Sequence, residues 1–195
     1  MDFKRDLDFI VLLEKMKSVY RMTKVIGQDR RENDAEHSWH VAINSLILRP
    51  HSKIDVDVNR VIKMMLVHDI VEIYAGDTFA YDIKANEGKK DRELSAMEII
   101  KSQLSDSMGS LVEGLWLEFE AKETNESKYA NAMDRLQPIM SNIQDGEGGT
   151  WFENKVSYQQ VLDRIAPIKD FNDEIYDYVI QNVDKAVENG YIIRD

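Results

Sequence analysis

Apart from Lys63, three charged or titratable side chains, His68, Asp69 and Glu72, interrupt the apolar segment of residues 61–76, which reads VIKMMLVHDIVEIYAG. As a helix this segment is apolar on nearly every side, so it should be buried. His68, Asp69 and Glu72 would then be buried with it. A carboxylate loses much favourable hydration when it leaves water without a partner. A metal ion, another cation or hydrogen bonds must therefore stabilise these groups.

The spacing of these three groups indicates how they could act together. At about 100° per residue, His68 and Glu72 lie one helical turn apart, and Asp69 falls about 60° from Glu72. All three project from one side of the expected helix. An adjacent His-Asp pair with a glutamate one turn later predicts a metal site with a proton-transfer group beside it.

The composition is typical of a soluble, helical, single-domain protein. A chain of 195 residues with 43% hydrophobic and 31% charged residues can bury a continuous core. Only 9 Gly and 3 Pro favour long helices over a turn-rich β architecture. The absence of cysteine excludes disulfides and thiolate metal ligands, and it is compatible with a reducing compartment. We expect a cytoplasmic protein.

Charge and hydropathy restrict the class of partner. The net charge of −11 argues against binding to polymeric nucleic acid or to an anionic membrane surface. The N-terminal segment carries only a short apolar run between charged residues, so it predicts neither a signal peptide nor a membrane span. An anionic small-molecule substrate would require local cations that overcome the overall negative field.

Hydrophobic periodicity predicts a series of helices. Asn33 or Asp34 can cap the second, whose apolar face would carry Trp39 and Ile47 with Ile43 and Leu46. The long connection after the third helix, residues 77–91, is of a length typical of functional or mobile loops, and Pro167 should separate the last two helices. The expected helices span about 2–24, 33–48, 55–76, 91–104, 108–122, 126–143, 155–166 and 170–188.

Several single residues also have ordinary structural explanations. Arg21 and Lys24 could form the solvated, cationic end of the first helix instead of an anion site. A lone histidine on a helix, such as His37, is more often a satisfied core residue than a ligand. As a generic helix residue, Asp134 would be a salt-bridged surface acid.

Taken together, His37, the pair His68-Asp69, and Asp134 give the order H…HD…D, which resembles the HD-domain superfamily of metal-dependent phosphohydrolases. The surrounding residues resemble its branch of bacterial 5′-deoxynucleotidases, over residues 9–145. The resemblance and the periodicity predict an all-α, compact helical bundle in one domain, 1–195, with the metal site in 9–145 and C-terminal helices at 155–188. The matching blocks are RRENDAEHS at 30–38, HDIVEIYAGD at 68–77 and EFEAKETNESKYANAMDRLQP at 118–138.

The resemblance also implies a metal centre. A mixed set of imidazole and carboxylate ligands suits one divalent Mn, Co, Fe, Ni or Zn ion better than Ca. Such a set leaves positions for water and for a phosphate oxygen. The implied ligands are His37, His68, Asp69 and Asp134.

Other positions match the family's catalytic and substrate-binding residues. Glu72 would orient the attacking water or take its proton, and Asp77 would assist the departing 5′-oxygen. Arg21 matches a phosphate-binding arginine, with Lys24 or Arg30 as alternatives. Met22 stands where the family has tryptophan.

The function implied by the resemblance is removal of the 5′-phosphate from ribo- or deoxyribonucleoside 5′-monophosphates. Hydrolysis of another phosphoester, such as a cyclic nucleotide or a nucleoside tetraphosphate, is an alternative. A catalytically degenerate metal-binding regulatory module is another. With 4 histidines in the chain, a two-metal centre is disfavoured. The expected partners are a small-molecule nucleotide and a second copy of the chain in a homodimer.

Overall fold

The structure is a computed structural model that describes residues 2–194. It confirms the predicted all-α fold, with one small antiparallel sheet added. The helices are α1 Asp2–Leu12, α2 Asp34–Leu48, α3 Val58–Val67, α4 Glu72–Ala75, α5 Ile83–Asn86, α6 Lys89–Gln103, α7 Asp106–Ala121, α8 Asn125–Gln144, α9 Gly149–Glu153, α10 Tyr158–Phe171 and α11 Asp173–Glu188; the strands are β1 Tyr20–Lys24 and β2 Arg31–Asn33.

Helix α8 lies at the centre of the molecule and packs against α2, α3, α7, α10 and α11. Its predicted core stripe is buried at Tyr129, Met133 and Leu136. A smaller apolar cluster joins α1, α6 and α7 to the chain after α3. Val67 packs against both clusters, so the segment that follows it lies where the two cores meet.

The apolar segment 61–76 is two helices, and the prediction of one continuous helix was wrong. Helix α3 ends at Val67, a turn occupies residues 68–71, and α4 ends at Ala75, just before Gly76, whose φ is 74°. Hydrogen bonds to the carbonyl three residues earlier tighten the turn: the Ile70 N–H donates to the Val67 carbonyl at 3.3 Å, and the Glu72 N–H donates to the Asp69 carbonyl at 2.9 Å. This turn presents the His-Asp pair to the interior.

The predicted first helix, 2–24, was also wrong in its second half. Helix α1 stops at Leu12, a 3₁₀ turn follows at Leu13–Ser18, and the chain then enters β1. The segment around β1 is rich in β-branched and aromatic residues, which favour a strand when a partner is available. Strand β2 is that partner, with Tyr20 opposite Asn33. Arg21 and Lys24 therefore lie on a strand and not at a helix end.

Helix α2 begins where predicted. The Asn33 side chain accepts the Glu36 N–H, and the Glu36 carboxylate accepts the Asn33 N–H, which makes a capping box. The predicted apolar face, however, points to solvent: Trp39 is 62% and Ile47 60% exposed. The helix instead buries His37, because that side chain has polar partners in the interior.

The remaining helices follow the prediction closely, with three differences, one of which is the short helix α9 at Gly149–Glu153, where no helix was predicted. The connection at 77–91 contains α5 and the start of α6. Helix α10 continues through Pro167, so this proline does not separate the last helices; it removes one helical hydrogen bond without ending α10. The break comes at Asn172, whose side chain caps α11. Among the described residues, no helix has both the length and the apolar character that a bilayer crossing requires.

Candidate metal centre and active site

The structure brings together all four side chains that the resemblance implied as metal ligands. Helix α2 supplies His37, the turn after α3 supplies His68 and Asp69, and α8 supplies Asp134. His37 Nε2 lies 3.1 Å from Asp134 Oδ1 and 3.7 Å from Asp69 Oδ2. His68 Nε2 lies 3.2 Å from Asp69 Oδ2 and 3.7 Å from Asp134 Oδ1. Two imidazole nitrogens thus face two carboxylate oxygens.

Hydrogen bonds at the far side of each imidazole fix its orientation. His68 Nδ1 donates to the Met65 carbonyl at 2.8 Å, and His37 Nδ1 lies 2.9 Å from Gln137 Oε1. Each ring therefore turns Nε2 toward the two carboxylates. His68 Nε2 is buried and makes no hydrogen bond to any residue in the described part of the chain. An inward-facing imidazole nitrogen of this kind is a ready metal ligand.

The donor set fits a divalent transition metal. Ligand atoms of His37, His68 and Asp69 all lie within 4.8 Å of one another, and mixed nitrogen and oxygen donors suit Mn, Fe, Co, Ni or Zn. A second group of carboxylates, Asp34, Asp69 and Glu72, also converges. There, Arg21 already supplies positive charge, so the histidine-containing group is the candidate for a metal ion.

Opposite charges stabilise the ionised forms of these ligands. Burial alone would raise the pKa of Asp69, but His68 and Arg21 hold that pKa below its ordinary value. Burial likewise opposes a charged imidazole, yet Asp69 and Asp134 raise the pKa of His68 to about 10. The two carboxylates therefore favour positive charge at this imidazole.

A group of buried carboxyls with raised pKa values lies beside the ligands. Glu72 is only 3% exposed, and burial with the charges of Asp69 and Asp34 raises its pKa well above the ordinary value. Burial and Asp69 also raise the pKa of Asp77, although Arg21 opposes the shift. Such groups can hold or exchange a proton near neutral pH.

Asp34 is a site residue that the sequence reasoning missed. We considered it only as a possible helix cap, but Asn33 is the cap and Asp34 is fully buried at the first position of α2. Burial, followed by the charge of Asp69, raises the pKa of Asp34 to about 7. The sequence does contain an indication of this role: Asp34 lies one helical turn before His37, so both side chains project from one face of the helix.

Of the three cations predicted to bind substrate, only Arg21 lines the site. Its Nη1 lies 2.6 Å from Asp69 Oδ2. Lys24 instead pairs with Glu153 at 2.6 Å, and Arg30 pairs with Glu36 at 2.8 Å at the capping box of α2. Lys24 and Arg30 do not line the cavity because the hairpin directs them elsewhere.

A cavity of about 420 Å³ opens onto these groups, a volume suited to a small molecule. Its wall includes His68, Asp69 and Asp134 together with Arg21, Glu72 and Asp77. It also contains cations that the sequence analysis did not assign to the site, from α6, α8, α10 and the residue that follows α7. They are Lys89, Lys90, Lys122, Arg135 and Arg164.

Comparison with known proteins identifies the family that shares this sequence pattern. The sequence profile of the HD domain matches residues 13–175. The chain belongs to the HD-domain family. It is similar to the 5′-deoxynucleotidase HDDC2 of Dictyostelium discoideum, 28% identical over 80% of this chain and 86% of the relative. The Xenopus laevis protein of the same name is 30% identical over 71% of this chain and 68% of the relative.

Solved structures agree with this membership in the HD-domain family. A protein from Magnetospirillum magnetotacticum, described as a predicted metal-dependent phosphohydrolase, is 37% identical with a TM-score of 0.91 over 98% of this chain and 95% of that chain. A conserved hypothetical protein from Pyrococcus furiosus shares the fold, with 24% identity and a TM-score of 0.67 over 90% of this chain and 99% of that chain. The predicted family is thus confirmed.

The first prediction concerns metal binding. Asp69→Ala removes a carboxylate that faces both imidazoles, so the purified variant should contain no stoichiometric metal by elemental analysis. The parent should melt at a higher temperature with metal than after chelation, since a ligand bound only by the folded state stabilises it, by about 2.7 kcal/mol at 100 times its Kd. Asp170→Ala, an exposed acid of α10, is the matched control. Full metal content in Asp69→Ala would contradict the assignment.

Proposed function

We propose that this chain is a metal-dependent phosphohydrolase that removes the 5′-phosphate from ribo- or deoxyribonucleoside 5′-monophosphates. The observation that carries the proposal is the convergence of two imidazoles and two carboxylates on a cavity whose wall also holds buried acids and cations. The substrate class is supported by relatives that bear the name 5′-deoxynucleotidase.

The metal would be held by His37, His68, Asp69 and Asp134. When bound, it supplies Lewis acidity to a water molecule and to a phosphoryl oxygen. These four side chains would hold the metal ion in position, and the neighbouring acids Glu72 and Asp77 would transfer protons.

Glu72 and Asp77 have complementary roles in this proposal. Glu72 Oε2 is buried without a hydrogen-bond partner among residues 2–194, so it is free to accept a proton from the attacking water. The water oxygen forms a bond to phosphorus, the bond from phosphorus to the 5′-oxygen breaks, and its electron pair goes to that oxygen. Asp77, whose pKa is raised by burial and by Asp69, donates the proton that completes the nucleoside hydroxyl.

Arg21 limits the repulsion between the acidic wall and an incoming phosphate. Its guanidinium carries positive charge into the centre of the carboxylate group, at 2.6 Å from Asp69 and 3.5 Å from Asp34. Because it contacts a proposed metal ligand, Arg21 affects metal binding as well as substrate binding. Lys24 and Arg30 are not part of this proposal.

We also propose a cytoplasmic homodimer. The exposed apolar face of α2, with Trp39 at 62%, Leu46 at 50% and Ile47 at 60% exposure, supports the dimer, because surface clusters of large apolar side chains mark interaction sites. The cytoplasm is where nucleoside monophosphates are available as substrates. Cell fractionation tests this location, and recovery of the chain outside the cytoplasmic fraction would contradict it.

The function is tested by a phosphate-release screen. Protein loaded separately with Mn, Co, Fe, Ni or Zn is given nucleoside mono-, di-, tri-, tetra- and cyclic phosphates, in ribo and deoxyribo forms. We expect release from 5′-monophosphates that chelation abolishes. The Asp69→Ala protein is the inactive control. Release only from cyclic nucleotides or tetraphosphates, with none from monophosphates, would overturn the proposed substrate.

Glu72→Gln separates proton transfer from metal binding. The amide keeps the size of the side chain but cannot accept the water proton, so single-turnover hydrolysis should slow by roughly 10² to 10⁴-fold. Metal content and substrate affinity should remain near those of the parent. Glu98→Gln, at an exposed position on α6, is the matched control. Loss of metal in Glu72→Gln would make Glu72 a ligand, and a parental rate would make it a structural acid.

The dimer prediction is tested by light scattering coupled to size-exclusion chromatography. The parent should elute with twice the chain mass of 22.6 kDa. Replacing Trp39 and Ile47 together by Ser should shift the mass to that of a monomer, because the change removes the apolar contact area. Leu117→Ser, at a residue of α7 that is 46% exposed, should leave the parental mass unchanged. A monomeric parent would refute the dimer.

A further inference from the structure

Glu32 is a buried carboxylate that has no part in the metal centre or the proton transfers proposed above. It is the central residue of strand β2 and is only 4% exposed. Side chains alternate between the two faces of a strand, so Glu32 faces the interior while Arg31 and Asn33 remain partly exposed. A carboxylate is costly to bury unless partners compensate it. The contacts of Glu32 therefore indicate what it does.

The Glu32 carboxylate lies behind the imidazole of His37, on the side that faces away from Asp69 and Asp134. Its Oε1 accepts a hydrogen bond from Gln137 Nε2 at 3.0 Å. Its Oε2 lies 3.6 Å from His37 Nδ1 and forms no hydrogen bond with any residue in the described part of the chain. Arg21 supplies the opposite charge, with its Nε 3.9 Å from Oε2.

These contacts determine which way the Gln137 amide points. Its Nε2 lies 3.0 Å from Glu32 Oε1 and 3.3 Å from both His40 Nδ1 and Ser141 Oγ. A carboxylate has no proton to donate, so it requires the NH₂ group of the amide as its partner. The reversed amide would place its carbonyl oxygen against the carboxylate, and the two oxygens would repel each other. Gln137 Oε1 must therefore face His37 Nδ1, at 2.9 Å.

The orientation of the amide in turn sets the tautomer of His37. Nδ1 faces two acceptors, Gln137 Oε1 at 2.9 Å and Glu32 Oε2 at 3.6 Å, so this nitrogen carries the ring proton. A neutral imidazole has one N–H group, and its other nitrogen has a free lone pair. That nitrogen is Nε2, which faces Asp134 and Asp69. A metal ligand needs this lone pair.

His68 reaches the same state by a different route. Its Nδ1 donates to the backbone carbonyl of Met65 at 2.8 Å, so the fold of α3 fixes its tautomer. His37 depends instead on the two side chains of Gln137 and Glu32. If the amide of Gln137 were reversed, its NH₂ group would point at Nδ1. The proton of His37 would then move to Nε2, and that nitrogen could not bind a metal ion.

We propose that Glu32 is a positioning residue of the metal centre: by fixing the Gln137 amide, it keeps the proton of His37 on Nδ1 and leaves Nε2 free to bind the metal. The inference rests on the proposed function, in which His37 is a metal ligand, and adds the two residues that set its tautomer. Hydrogen-bond partners behind a ligating histidine commonly tune metal affinity in this way.

The test uses the full chain and zinc, a diamagnetic ion. The Kd of zinc is measured by competition with a chromophoric chelator, and the ring N–H groups of the zinc-loaded protein are observed by proton–nitrogen NMR. Glu32→Gln keeps the size of the side chain but can present an N–H to Gln137, so the amide can reverse. The Kd should rise roughly ten- to a hundredfold. The Nδ1–H signal of His37 should be lost, while that of His68 remains.

A matched control separates this role from the loss of a buried negative charge. Glu93 is 8% exposed and pairs with Lys89 at 3.3 Å, and it does not contact His37 or Gln137 in the described structure. Glu93→Gln should therefore bind zinc like the parent and keep the Nδ1–H signal of His37.

Exchanging the two side chains provides a rescue. Gln137→Glu alone brings two carboxylates together where Glu32 and Gln137 now share a hydrogen bond, so it should lower the melting temperature. Combined with Glu32→Gln, the new carboxylate at position 137 accepts hydrogen bonds both from His37 Nδ1 and from the new amide. The double variant should regain the Nδ1–H signal of His37 and most of the zinc affinity. A residue that only fills space would give no such recovery.

The outcomes distinguish this proposal from the proposed function. If Glu32→Gln binds zinc like the parent and keeps the Nδ1–H signal of His37, the proposal is wrong. If Glu32→Gln does not fold, the double variant decides: a double variant that is unfolded, or that is folded without the Nδ1–H signal of His37, also refutes the proposal. If both variants behave as expected but the parent hydrolyses no nucleoside monophosphate, the positioning role stands and the proposed function is wrong.

Discussion

The structure depends on how two carboxylates, Asp69 and Asp134, are kept ionised in the interior. Ionised carboxylates are costly to bury, and they persist only where positive charge or hydrogen bonds compensate them. His37 and His68 approach both carboxylates, Arg21 approaches Asp69, and Arg164 approaches Asp134. Strand β1 and helices α2, α8 and α10 meet at the turn after α3 to supply these contacts.

Several departures from regular helical structure serve this convergence. The turn at 68–71 interrupts an apolar segment and directs the His-Asp pair inward. The hairpin of β1 and β2 carries Arg21 into the carboxylate group. The capping box of Asn33 and Glu36 fixes the start of α2, so that both Asp34 and His37 enter the interior one helical turn apart. Each departure supplies or orients a charged group near the cavity.

The presence of both acids and cations in the cavity wall is the property most relevant to function. Glu72 and Asp77, whose pKa values are raised, line the cavity together with Arg21, and the wall also carries Lys89, Lys90, Lys122, Arg135 and Arg164. A hydrolase of phosphate esters needs both: groups that move protons near the attacked phosphorus, and cations that hold a dianion. The net charge of −11 opposes the approach of any anion, so the local cations of the cavity wall must offset this field.

The sequence alone determined the helical class, the core stripe of α8, the cap of α2 and, through three blocks that resemble the HD-domain family, the set of residues around the proposed metal. Those features follow from local periodicity, capping chemistry and motif order. The tertiary structure alone decided that residues 20–24 form a strand, because a strand forms only where a partner is available. It also decided that α2 buries His37 and exposes Trp39. A hydrophobic pattern distinguishes apolar from polar side chains, but it does not show which residues distant in sequence will pack against them. Lys122, Arg135 and Arg164 show the same limit: they come from the residue after α7, from α8 and from α10, and only packing brings them into the wall of one cavity.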